Sequence, residues 1–239
     1  MFDWLFGKPF KGNSGIEKIR QDFVQMLQTA QKEFELACKV TLHGEEPASV
    51  KDELLGYDKK VNKAERSIRK ELVVHCAVRS VIDPDCLVMM SIAKDAERLG
   101  DYSKNIFDMG ELSPCLPEGK ELEELLVLEK LILNTFTDCA ETIHTKNSEM
   151  AEKLIILCTW GEHQCDSITK VLLNLPEPTR RTASDALMFR FMKRMLSHLR
   201  NISSSVIQPL HKLDFTKKIT KSAEMNGTLL DHKAELGIE

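Results

Sequence analysis

"DAERLGDYSKNIFDMG", residues 95–110, places Glu97 and Asp101 four residues apart with Gly100 between them. Residues four apart on a helix share a face, so the two carboxylates can reach one cation together. Hard cations such as Mg, Mn or Fe favour carboxylate oxygen. A glycine inside a helix costs about 1 kcal/mol relative to alanine. Lacking a side chain, it lets a neighbouring helix or a ligand come close. Taken alone, an E-x-x-x-D pair is common on solvated helix faces, so its meaning depends on the rest of the chain.

Outward from this stretch, the eight prolines fall almost entirely between segments of helical periodicity. A first helix is expected from about Gly15 to His43, with Ile16, Ile19, Phe23, Met26 and Leu27 on one face. "GEEPAS" interrupts it, and a second helix follows from about Val50 to Arg79 with Ser49 as its cap. The third opens at "DPD": Asp83 can cap it, and Pro84 suits the first helical position. It contains the opening stretch and is expected to stop at Gly110. "ELSPCLPEGK" then reads as a linker. A fourth helix is expected from about Lys120 to His144, a fifth from Ser148 to Leu175 and a sixth from Arg180 to Ile207. The pattern is three long helices, a proline-rich linker, and three long helices again, an internal repeat. The fold expected is all-α: two tandem three-helix bundles made of six long antiparallel helices. Residues 15–112 would form the first bundle, 113–119 the linker and 120–208 the second. An aromatic segment, 1–14, precedes them, and a polar tail, 209–239, follows.

Composition agrees with helix. The 239 residues are 42% hydrophobic, 29% charged and only 6% aromatic, whereas strand-rich proteins use more aromatic and β-branched residues. A net charge of −4 provides no basic field for nucleic acid. Cysteines stand at 38, 76, 86, 115, 139, 158 and 165, an odd number with no C-x-x-C. Their apolar helical settings, "LACKV" and "IILCTW", imply reduced, buried thiols in a cytosolic protein and argue against a zinc site built on cysteine. No apolar run approaches the roughly 18 residues that span a membrane. "MFDWLFGKPF" lacks the basic first region of a signal peptide and suits either packing on the domain or resting on a membrane surface.

"ERLGDYSKNI", residues 97–106, closely resembles the signature of the PhoU family, roughly E-R-[IL]-G-D-x-[AS]-x-N-I, with weaker support from "YDKKVNKAERSIRK" in the second helix. The six-helix, two-unit layout is similar as well, so the resemblance spans about residues 15–208. It implies a regulator of phosphate uptake and signalling that works with a membrane phosphate transporter complex or a sensor histidine kinase. Some members of the family bind metal through paired [ED]-x-x-x-D motifs on the second and third helices of each repeat. Carried over to this chain, the first repeat offers Asp58, Asn62, Glu97 and Asp101: three carboxylates and one amide, for Mg, Mn, Fe or Zn. The second repeat keeps Glu162 and Asp166 in "EHQCD". Its sixth helix reads "MKRMLSHLRNI", with Lys193 and Ser197 at the acidic places and Leu196 at the glycine place. That site is degenerate, and Lys193 is expected near Glu162 or Asp166 as a tethered cation in the place of a metal.

Other chemistry is weaker. Glu141 and His144 form an E-x-x-H, but ferritin-like sites use two such motifs and no second one occurs. H-E-x-x-H, P-loop and dinucleotide motifs are lacking. The basic clusters "RSIRK" (66–70), "RR" (180–181) and "KKITK" (217–221) suit solvated helix faces or acidic partners. The resulting expectation is a cytoplasmic PhoU-like protein that acts by binding and is not an enzyme. Peripheral contact with the membrane and a homodimer are both compatible with it. The alternatives are an accessory protein of a Pit-type phosphate transporter and, in a different class, a carboxylate-bridged metal oxidase or iron-storage protein.

Overall fold

A computed structural model describes residues 14–79, 83–112, 116–213, 215–216 and 227–232. The aromatic segment at residues 1–13, Cys115 and the "KKITK" cluster lie outside them. Six long helices follow in chain order: α1 (Ser14–Thr41), α2 (Pro47–Arg79), α3 (Pro84–Leu112), α4 (Gly119–Thr145), α5 (Ser148–Leu173) and α6 (Arg180–Ser204). No strand occurs among the described residues. The fold is the all-α arrangement expected.

The ends of the helices follow local chemistry. Asp83 Oδ1 accepts the Asp85 N–H at 3.0 Å, capping α3 at the position where Pro84 needs no donor partner. Asn147 caps α5 through the Met150 N–H, and Thr179 caps α6 reciprocally with Thr182. Ser49 does not cap α2. The helix begins two residues earlier, at Pro47, whose ring presets the first turn, and the Ser49 hydroxyl donates to the Glu46 carbonyl at 2.6 Å. Nor does Gly110 end α3, which continues to Leu112. A methyl group on Gly110 would lie 2.6 Å from Val40 Cγ1 and 2.9 Å from Thr41 Cγ2, so this glycine admits α1. α6 stops at Ser204, short of the expected Ile207. The Ser204 and Ser205 hydroxyls donate back to the Asn201 and Ile202 carbonyls and compete with continuation of the helix.

α1 packs against α2 and α3, and α4 against α5 and α6. The two trios join through α1 on α4 and α3 on α6. The buried stripe of α1, Ile19, Phe23, Met26, Leu27, Ala30, Phe34 and Ala37, repeats every three or four residues. It belongs to one apolar core that continues through Leu128, Phe136, Phe189 and Leu199 of the second trio. Phe34 and Phe136 meet across the junction with ring centroids 6.2 Å apart. On the α3–α6 side, Asp95 Oδ1 bonds His198 Nδ1 at 2.8 Å and the Asn201 amide at 3.1 Å. Tyr102 stacks on His198 and accepts the Arg194 Nε–H. After α6, the described residues include a 3-10 turn at Leu210–Lys212 and a second at Leu230–His232. The latter is held by Leu229, buried in the core, and by the Gln164 amide donating to the Gly227 carbonyl.

Candidate metal centre

The first repeat brings a carboxylate to its centre that the sequence reading passed over. Glu33 lies on the apolar stripe of α1 between Ala30 and Phe34 and is fully buried. Neither of its carboxyl oxygens has a hydrogen-bond partner among the described residues. Burial, helped by the negative charge of Asp58 and less by Asp101 and opposed by Lys104, pushes its carboxyl up to about 9. Gly100 makes room for it: a methyl group there would lie 2.9 Å from Glu33 Oε2 and 3.4 Å from Val61 Cγ1. The glycine in the opening stretch thus lets a carboxylate from α1 reach α3. The signal was present in the sequence, because a Glu on an otherwise apolar helical stripe is buried only with a partner.

Of the expected residues, Asp58 and Asp101 act on Glu33 by their charge, and among the described residues no three of these carboxylates converge within 4.8 Å. On α2, the Asn62 amide donates to Asp58 Oδ1 at 3.2 Å. Lys104 Nζ stands 3.6 Å from the same oxygen. Asp101 pairs with Arg98 at 3.1 Å, leaving its side chain about one-third exposed. Glu97, one turn earlier, is mostly buried and pairs with Lys94 at 2.6 Å. The charges acting on Glu33 are those of Asp58, Lys104 and Asp101; Glu97 is directed to its own lysine.

In the second repeat, both carboxylates meet tethered cations. Lys193 Nζ lies 2.5 Å from Asp166 Oδ2. Glu162, largely buried, meets Arg200 Nη1 at 3.1 Å. Burial raises the Glu162 carboxyl above its ordinary range, while Arg200, then Ser197, then Lys193 oppose the rise. The Ser197 hydroxyl also donates to the Lys193 carbonyl. Arg200 was not singled out from the sequence, although Lys193, Ser197 and Arg200 follow an i, i+4, i+7 stripe. Leu196 occupies the glycine place and is buried, and the close approach is preserved from the other side. A methyl group on Gly161 of α5 would lie 2.7 Å from Leu196 Cδ1. Thr135 precedes Phe136 as Glu33 precedes Phe34. It is buried too, but its hydroxyl is satisfied by the Leu131 carbonyl at 2.7 Å.

The remaining features highlighted by the sequence lie on the surface. Glu141 and His144 are both exposed. Arg69 pairs with Glu65, and Arg181 with Glu118. No helix among the described residues is long and apolar enough to cross a membrane.

The family model of the PhoU domain matches residues 23–109, the stretch that holds Glu33, Asp58, Gly100 and Asp101. No curated protein matches the sequence. Among solved structures, PhoU from Pseudomonas aeruginosa superimposes with a TM-score of 0.70 at 17% identity, over 82% of this chain and 97% of that one. Residues 23–109 thus match the model of the PhoU domain, and the chain takes the all-α fold of that solved PhoU structure.

Proposed function

We propose that this protein is a PhoU-like regulator of phosphate uptake and phosphate signalling that acts by binding and not by catalysis. In this reading it works in the cytoplasm, at the inner face of the membrane, on a phosphate transporter, a sensor histidine kinase or both. The PhoU domain match supports the role. The observation that carries a metal-dependent form of it is Glu33, a fully buried carboxyl with both oxygens unpartnered, next to Asp58 and Asp101. Such a group calls for a cation or a proton. The donors suit a hard ion of the Mg or Mn type. Glu33, Asp58, Glu97 and Asp101 would hold it, with Asn62 as a neutral ligand. A bound ion would supply the positive charge that lets Glu33 ionise. Lys94, Arg98 and Lys104 would release their carboxylates to it; all three side chains are 39–48% exposed and can swing into solvent. Glu162 and Asp166 do not take part, since Arg200 and Lys193 already neutralise them.

Two measurements test the reading separately. Calorimetry of the full chain should show Mn binding that Glu33→Gln with Asp101→Asn removes; binding unchanged in that variant would place the ion elsewhere. Deleting the gene should deregulate phosphate uptake at high external phosphate, and the wild-type gene should restore control. Uptake unaffected by deletion would remove the regulatory role. Turnover of bound iron with dioxygen would favour a metal oxidase instead.

A further inference from the structure

At the opposite end of α2 from Asp58, a second group of ligand-bearing side chains comes together. One atom each from His75, Asp83 and Cys86 lies within 4.8 Å of the other two. Ring nitrogen, carboxylate oxygen and thiol sulfur are the three donor types that zinc accepts. His75 is 2% exposed, and its Nε2 has no hydrogen-bond partner among the described residues. A buried imidazole is ordinarily satisfied, so this one has room for a ligand that the described residues do not provide. Cys86 is likewise 2% exposed, and its side chain is hydrogen-bonded to that of Cys76, which is only partly buried. Asp83 is already fixed by capping α3 through Oδ1, and one of its carboxylate oxygens lies within the group.

We propose that His75, Asp83 and Cys86, with Cys76 as the fourth ligand, form a zinc site that clamps the end of α2 to the start of α3. It is distinct from the acidic cluster on α1–α3. Thiolate and imidazole select a borderline-soft ion, whereas the Glu33 cluster offers oxygen alone. Tetrahedral bonds of about 2.0–2.3 Å put ligand atoms roughly 3.3–3.8 Å apart, so His75, Asp83 and Cys86 need to close by at most about 1.5 Å, while Cys76 stands outside that group and joins it by turning about its own side-chain bonds. Motif spacing misses the site because the two cysteines, at 76 and 86, come from different helices and His75 adjoins the first of them. On binding, each thiol loses its proton to solvent and the imidazole stays neutral.

Cobalt(II) is the probe. Added to the full chain under reducing conditions, it should give a thiolate-to-cobalt charge-transfer band and the intense visible bands of a tetrahedral site, at one equivalent. Zinc should displace it. Cys86→Ser and His75→Gln should each remove most of the charge-transfer intensity, with helical circular dichroism confirming the fold. Asp83→Asn, which keeps a capping oxygen, should weaken binding at least tenfold while leaving the helix intact. Glu33→Gln with Asp101→Asn should leave the cobalt spectrum unchanged. A spectrum without charge-transfer bands, one that survives Cys86→Ser, or recovery of Cys76 and Cys86 joined as a disulfide in protein purified under reducing conditions would overturn the proposal.

Discussion

A single buried carboxyl shows how one residue links stability to pH. The Glu33 carboxyl is raised from 4.5 to about 9 by burial, so the folded chain holds a proton that the unfolded chain releases. Stability from the neutral form is complete below pH 4.5, declines as pH rises, and is gone once pH passes about 9. Glu33→Gln keeps the shape and removes the ionisation. We expect it to be more stable than wild type at alkaline pH, on the order of 2–4 kcal/mol near pH 8, and indistinguishable at pH 4. Urea titrations at the two pH values check this; equal stability at both would mean Glu33 is paired in solution. Saturating Mn should likewise flatten the pH dependence of the wild type. Gly110 supports a second expectation. The stiff, β-branched Val40 and Thr41 stand against it. Gly110→Ala should therefore destabilise by about 1–2 kcal/mol, overpacking outweighing the roughly 1 kcal/mol gained in helix propensity.

Helix α6 shows how an element can keep its place while its chemistry changes. Its stripe of Lys193, Ser197 and Arg200 faces Glu162 and Asp166 of α5, the two carboxylates that our proposal leaves out of metal binding. Restoring the acids with Lys193→Glu, Ser197→Asp and Leu196→Gly is therefore insufficient, because Arg200 still holds Glu162. We expect that triple variant to show no second Mn equivalent by calorimetry, and the same variant with Arg200→Ser to show one. A second equivalent already present in the triple variant would mean that Arg200 gives way to the ion. Leu196→Gly carries its own penalty: the leucine is buried against Gly161, and its removal leaves a cavity worth about 2–5 kcal/mol. Gly161→Leu in the same chain is the natural partner change.

At the scale of the whole molecule, the two trios share one core, and Phe34 and Phe136 form the aromatic contact on its α1–α4 side. Phe34→Ala and Phe136→Ala should each cost about 3–5 kcal/mol. Because the rings touch, the double variant should lose less than the sum, by about 0.5–1.5 kcal/mol. Strict additivity in denaturant unfolding would mean the pair does not couple the trios. The six helices were legible in the chain alone, because proline and helical periodicity are local: Pro84 after Asp83 starts α3 whatever α3 later meets. Legible too was the resemblance of residues 97–106, since Gly100 and Asp101 lie within one helical turn. The purpose of Gly110, and with it the run of α3 on to Leu112, was not, because it depends on Val40 and Thr41, which arrive from elsewhere in the sequence. The same holds for the sites. Spacing along one helix marked Glu97 with Asp101, and the family resemblance added Glu162 with Asp166. Only tertiary packing brought Glu33 to Gly100 across 67 residues, set Arg200 against Glu162, and gathered His75 and Cys86 at one corner. A helical repeat reports which side chains share a face; which face meets which is decided when three helices bury their apolar stripes at once.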